Sequence, residues 1–274
     1  MSGAPGERRL VVTGDDLGRD PAGTATLCAL WEEGLITAAS MITVGQEAER
    51  TAGRLRAAGL TPRLHLTLTS ERGLPRWRPL TGGASLHDEH GWMPEDARRL
   101  GHALDLDEVR EEFDAQLGWM HARGLRPRGA DFHTAALYAL RGGELLEATL
   151  RWCALRGLGF RLPRRLEPFP GTAVLSAPSR RAHTAALHLA DELGVPLPAA
   201  LLAHRTSATS CDALREELVD GLAGLPTGTS ELLLHPSGPG PSVPAERPLE
   251  AALLRDPRWR EALDAHGIRT VPHW

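Results

Sequence analysis

A chain of 274 residues, 42% of them apolar and with a formal net charge of −4, is long enough to bury a substantial core in one large α/β domain or two small ones. The acidic balance, and the lack of any basic cluster interleaved with aromatics, argue against nucleic acid as a main partner. No apolar run is long enough to span a membrane. The stretch from Met1 to Arg9 lacks the apolar centre of a signal peptide. Cys28, Cys153 and Cys211 stand far apart with no C-x-x-C pair, the usage of buried free thiols in a reducing compartment, so a cytoplasmic location is expected. Every basic residue is Arg, which excludes lysine as a base or Schiff-base former.

The first predicted strand is Leu10-Val11-Val12-Thr13-Gly14-Asp15-Asp16-Leu17-Gly18-Arg19, a β-branched run ending in two adjacent carboxylates and a glycine that allows a sharp turn. Adjacent strand residues point to opposite faces, so the two carboxylates can take different tasks where the strand frays into a loop. Residues 22–34 carry Leu27, Leu30 and Trp31 at helical spacing, with Gly34 as the stop signal. Residues 35–44 read as a strand, 47–58 as a helix ended by Gly59, and 63–69 as a strictly alternating strand. The segment 72–101, rich in Gly, Pro, His and Trp, has no periodicity and is expected to be a functional loop or lid. A helix over 107–123 leads to a strand with Asp131-Phe132-His133, and a helix over 144–156 leads to Leu158–Pro163. Helices over 180–194 and 213–224, a strand over 229–236, a helix over 257–266 and a strand over 268–271 complete the chain. Alternating strands and helices predict βα units around a parallel sheet, with no repeat or linker that would divide residues 1–274 into two domains.

Asp15, Asp16, His65, Asp131, His133, Arg161 and His235 all fall in or just after predicted strands. In a (β/α) barrel such positions converge at the C-terminal ends of the strands. One carboxylate with two neutral imidazoles makes a three-ligand face with open positions, the donor count of a catalytic zinc site that other divalent metals also accept. The second carboxylate can then take a proton from water, and a further His can protonate a leaving group. Each residue also has a plainer reading. His65 in an apolar strand can be a satisfied core residue, His133 can pair with Asp131, and His235-Pro236 can be a strand terminus.

The ordered motifs Thr13-Gly14-Asp15-Asp16-Leu17-Gly18, Glu33–Met41, Leu64–Thr69, Glu112 with Gln116, Gly124–Pro127, Asp131-Phe132-His133, Phe160–Pro163 and Glu231–Pro236 resemble the YdjC-like carbohydrate deacetylases, the group containing chitooligosaccharide deacetylase. The resemblance spans nearly the whole chain as one such domain. It implies an irregular, TIM-barrel-like (β/α) barrel with a long loop after the third strand. It also implies a hydrolase that uses one divalent ion, Zn or Mg, to remove acetyl groups from N-acetylated sugars or glycosides. Carried over by position, Asp16, His65 and His133 would hold the metal and Asp15 would be the base. His235 would be the acid or an oxyanion-stabilising group. Arg161, Trp77 and Trp92 are candidate substrate contacts, the tryptophans as a stacking surface. The chain could work as a homodimer.

The chain departs from the family pattern where Ala135 and Leu137 stand in place of two further histidines, Arg63 in place of a glycine and Thr13 in place of an asparagine. The first two imply a more apolar pocket wall, and with it a substrate carrying a bulkier apolar part than a plain chitin fragment. A second function class is a catalytically weak relative that binds carbohydrate without turnover. The presence of Asp15, Asp16, His65, His133 and His235 together favours the enzyme.

Overall fold

The computed structural model describes residues 6–167, 169–170, 175–205, 208–240 and 243–274; the first five residues of the stretch examined for a leader lie outside them. The chain runs β1 (Arg8–Leu17), α1 (Pro21–Glu32), β2 (Ala38–Met41), α2 (Ala48–Ala58), β3 (Arg63–Leu66), α3 (Leu106–Ala122), β4 (Gly129–Phe132) and α4 (Glu144–Arg156). It continues β5 (Gly159–Phe160), α5 (Ala177–Leu193), β6 (Leu201–Leu202), α6 (Cys211–Ala223), β7 (Gly228–Leu234), α7 (Glu246–Arg255), α8 (Pro257–Ala265) and β8 (Ile268–Thr270). The helices start where the sequence supplies caps. Asp20 accepts from the Gly23 N–H ahead of Pro21, and Asp105 caps α3. Gly59 and Gly157 end α2 and α4 in the left-handed region.

All strand pairs are parallel, in the order β5-β4-β3-β2-β1-β7-β6. Along one edge β1 pairs with β7, and its other edge is shared, with β8 beside Arg8–Leu10 and β2 beside Thr13–Leu17. The sheet is buried by helices, which is why its strands read as near-continuous apolar runs. It curls like a barrel but is not the closed TIM-like barrel expected from the resemblance. Its end strands, β5 and β6, form no ladder with each other. Phe160, Arg164 and Arg165 donate to the carbonyls of Pro196, Pro198 and Ala199 (2.9, 3.0 and 2.9 Å), and one bridge joins Arg165 to Ala200. Pro163, Pro196 and Pro198 have no N–H to give, so a regular ladder cannot run across this seam.

The segment after β3 is the expected long loop, but it is pinned rather than free as a lid. It carries short 3₁₀ turns at Ala84–Leu86, Ala97–Arg99 and Gly101–Ala103. Glu112, fully buried on α3, accepts from the Leu80 and Thr81 backbone N–H groups, and Glu108 accepts from Ser85. Gln116, one turn after Glu112, bonds Thr67 through both its amide atoms. The Glu112–Gln116 pair thus ties the loop to the end of β3. Among the described residues no helix is long and apolar enough to cross a membrane, and Cys28, Cys153 and Cys211 are free.

Candidate metal centre and reaction cleft

The end of β1 departs from a regular strand at the two carboxylates. The β1–β2 register shifts between Gly14 and Leu17, and Asp16 has φ 71°, the one positive value at a non-glycine among the described residues. Such a conformation costs roughly 1–3 kcal/mol and concentrates at functional sites. In a straight strand Asp15 and Asp16 would face opposite sides; here both are buried, 2% and 4% exposed, at the same end of the sheet. Gly18 completes the turn at φ 88°, where a Cβ would lie 2.8 Å from the Ile42 carbonyl oxygen.

Strands β3 and β4 bring the imidazoles to this carboxylate. In the β3–β4 register His65 lies opposite Asp131, and the His133 N–H donates to Leu66 O, one step beyond β4. Asp16 Oδ1 is 3.5 Å from His65 Nε2 and 3.4 Å from His133 Nδ1. One donor atom from each of the three residues falls within 4.8 Å of the others. His65 Nδ1 lies 2.5 Å from Asp131 Oδ1, which also accepts from Ser40 Oγ. Asp131 therefore partners His65 across the sheet, not His133 along its own strand. His133 has a different partner, Glu71, with Oε1 3.3 Å from Nε2. Each imidazole is backed by a carboxylate on one nitrogen and turns the other toward Asp16, the arrangement that fixes tautomers in metal sites.

The donor set fits a divalent cation. His65 Nε2 and His133 Nδ1 are buried, and neither has a hydrogen-bond partner. Burial opposes charge on both rings, yet Asp131 and Asp16 push His65 up to about 10 and Asp16 and Glu71 raise His133. For Asp16 burial works upward, but His133, His65, His235 and Arg247 outweigh it and hold the carboxyl well below the usual range. Burial also raises Glu71, which His133 and Arg19 bring down to about 2. The centre draws positive charge. Asp15, His65 and Asp131 form a second set of close donor atoms, but there a guanidinium already stands between the two carboxylates. Arg161 grips both oxygens of Asp15 (2.6 and 2.8 Å) and lies 2.9 Å from Asp131 Oδ2 and 2.9 Å from Glu231 Oε1.

This network continues across the sheet interior. Glu231 Oε2 accepts from Arg63 at 2.9 Å and from the Trp274 indole at 2.6 Å, and Arg63 also donates to Thr13 Oγ1 at 2.5 Å. Two of the four departures from the family pattern, Thr13 and Arg63, thus touch each other. Arg161 serves three buried carboxylates at once, so Arg161→Met is expected to cost about 3–5 kcal/mol by leaving them unpaired. Urea unfolding measures this, and a loss under about 1 kcal/mol would contradict the account.

His235, just past β7, lies with Nε2 3.9 Å from Asp15 Oδ2. Helix α7, which the periodicity does not announce, steadies it and reaches Asp16. Glu250 Oε2 accepts the His235 backbone N–H at 2.7 Å, and Arg247 lies 2.8 Å from Asp16 Oδ2. Glu250 Oε1 also sits 2.6 Å from His204 Nε2, while His204 Nδ1 faces the Arg205 carbonyl at 2.6 Å. Burial lowers the pKa of His204, but these two acceptors and Glu217 outweigh it and raise it. A raised folded value stabilises the protein fully below the unfolded value of about 6.5 and loses that stabilisation as pH rises through the folded value. His204→Gln is therefore expected to flatten the decline of Tm above pH 6.5; an unchanged slope rejects the assignment.

Asp15, His133, Arg161 and His235 are among the residues that line a cavity of about 470 Å³. Ala135 lines it too, whereas Leu137 does not. A 3₁₀ stretch, Ala135–Gly143, turns Leu137 into the core, where it is fully buried. Neither Trp77 nor Trp92 is among the residues that line this cavity. Trp77 is 3% exposed, packed with Ile42 and Met93 and 5.5 Å from the His133 ring. The Trp92 ring is covered by the Arg78 guanidinium at 3.8 Å. Glu71, Ser40, Arg247 and Glu250 are the site residues that sequence reasoning did not single out.

Known proteins share this arrangement of elements. A crystal structure of an Enterococcus faecalis protein, described as a cellobiose-phosphate cleavage protein, superposes with a TM-score of 0.74 at 21% identity over 97% of each chain. That likeness concerns the fold alone. A Thermus thermophilus protein named carbohydrate deacetylase is 36% identical over 165 residues, 60% of this chain and 57% of that protein. An Enterococcus faecalis protein of the same name is 30% identical over 129 residues, 46% of this chain and 48% of that one. The matched stretches span about half the length of these relatives. The family profile described as YdjC-like protein matches residues 9–265, and the chain belongs to that family.

Proposed function

We propose that this protein is a metal-dependent hydrolase that removes the acetyl group from an N-acetylated sugar or glycoside. The observation that carries the reading is the convergence of Asp16, His65 and His133 beside Asp15 and His235, with Asp15, His133 and His235 lining one cavity. The names of the two partial relatives point to the same class of substrate. The ligands would be Asp16 Oδ1, His65 Nε2 and His133 Nδ1. Two imidazoles with one carboxylate suit zinc better than magnesium, which prefers an all-oxygen shell. A divalent ion held there supplies Lewis acidity, polarising a carbonyl and making water a stronger acid.

The remaining steps belong to the chain's own side chains. Asp15 accepts the proton of the attacking water, and Arg161 fixes that carboxylate by holding both oxygens. His235, with Nε2 3.9 Å from Asp15 Oδ2, gives a proton to the departing amine. Asp131 and Glu71 orient the two imidazoles, and Ser40 orients Asp131. The test is acetate release from N-acetylated chitooligosaccharides by zinc-loaded protein, abolished by a chelator and restored by zinc. One equivalent of bound zinc with no acetate release from any N-acetylated sugar overturns the reading.

A further inference from the structure

The cavity behind the reaction centre is built from apolar side chains. Phe132, Leu146, Leu162, Leu201, Leu233 and Ala182 line it together with Asp15, His133, Arg161 and His235. Its volume, about 470 Å³, falls within the usual range of about 300–1,000 Å³ for small-molecule sites. Among the described residues, the other polar side chains that line it are already engaged. Tyr138 Oη donates to the Arg161 carbonyl at 2.7 Å, His183 Nε2 lies 2.8 Å from the Pro163 carbonyl, and the Ser179 hydroxyl pairs with Ser176 at 2.9 Å. A sugar ring placed here would leave hydroxyl groups without partners, at about 5- to 150-fold in affinity for each.

We infer that this compartment takes an apolar substituent of the substrate, carried next to the scissile amide, while the sugar ring stays outside it. This rests on the amide-hydrolase reading and names its substrate class: an N-acylated amino sugar bearing an apolar chain. The chain enters either as the acyl group itself or as the aglycone. Both are the same chemistry at the wall, and each methylene moved from water to the wall is worth about fourfold in binding. Ala135, two residues after His133, contributes to this surface, where an imidazole would have made it polar.

The experiment compares kcat/KM of the zinc-loaded full chain on di-N-acetylchitobiose, N-hexanoylglucosamine and octyl N-acetyl-β-glucosaminide. One of the two apolar probes is expected to exceed chitobiose by about tenfold or more, and which one does so assigns the chain to the acyl or the aglycone side. Ala182→Trp, with Ala139→Trp as a second variant, fills the compartment and should collapse that ratio. Binding of octyl β-glucoside, which has no amide, is measured by calorimetry below its micelle concentration. Chitobiose turned over as well as or better than both apolar probes overturns the inference and leaves the deacetylase reading standing. No hydrolysis of any probe, with octyl glucoside bound by the wild type and weakened by either Trp variant, supports the compartment and removes the deacetylase reading. Neither hydrolysis nor binding overturns both.

Discussion

Alanine at His65 or at His133 should leave the protein folded but stripped of its divalent ion. Each substitution removes one of three donors, and the remaining carboxylate and imidazole form too small a set to retain a catalytic ion. Bound zinc, measured by mass spectrometry after desalting, is expected to fall to about a tenth or less of one equivalent, and hydrolysis with it. The side chains behind the ligands should matter less. Asp131→Asn keeps His65 but loosens its tautomer and orientation, so zinc affinity should drop about 10- to 100-fold. Glu71→Gln, behind His133, should do the same. The ordering is the sharp part of the expectation, with the ligands first and their backing carboxylates second. Full zinc content in both histidine variants would move the metal elsewhere.

Much of this site is legible in the sequence because parallel strands deliver their last residues to one end. His65, Asp131, Arg161 and His235 are found by that rule alone, and the helix over residues 144–156 is bounded as expected because Gly143 and Gly157 flank it. What escaped has physical causes. Strand β6 is two residues long, too short for any periodicity. Helix α7 begins inside a Pro- and Gly-rich run with Pro248 in its first turn, so no periodicity marks Arg247 and Glu250. Glu71 stands at the edge of the aperiodic segment, where no spacing marks it. Alternation along β4 suggests Asp131 beside His133, but residues opposite each other on neighbouring strands come closer, and His65 wins the carboxylate. The same alternation misreads the two adjacent carboxylates, since only the left-handed turn at Asp16 puts both in one cleft. Closure of the sheet failed as an expectation because three prolines lie at the seam.

That left-handed turn is what makes a substitution at Asp15 informative. Asp15→Asn keeps the shape of the side chain and one oxygen for Arg161, which still faces Asp131 and Glu231, so the fold should hold. The amide cannot take a proton from water. Asp15 is not among the three residues that converge through Asp16 Oδ1, so bound zinc should stay at the wild-type level. The expected result is a kcat reduced by about 10²–10⁴-fold, the usual contribution of a general base, with KM little changed. The competing assignment predicts something else. If the ion sat instead among Asp15, His65 and Asp131, it would have to displace Arg161, and Asp15→Asn would release it. Zinc content and kcat measured on one preparation separate the two. Loss of zinc, with activity recovered on adding excess metal, makes Asp15 a ligand. Full zinc with a slow reaction makes it the base, held in place by the guanidinium that excludes a second cation from its side of the cleft.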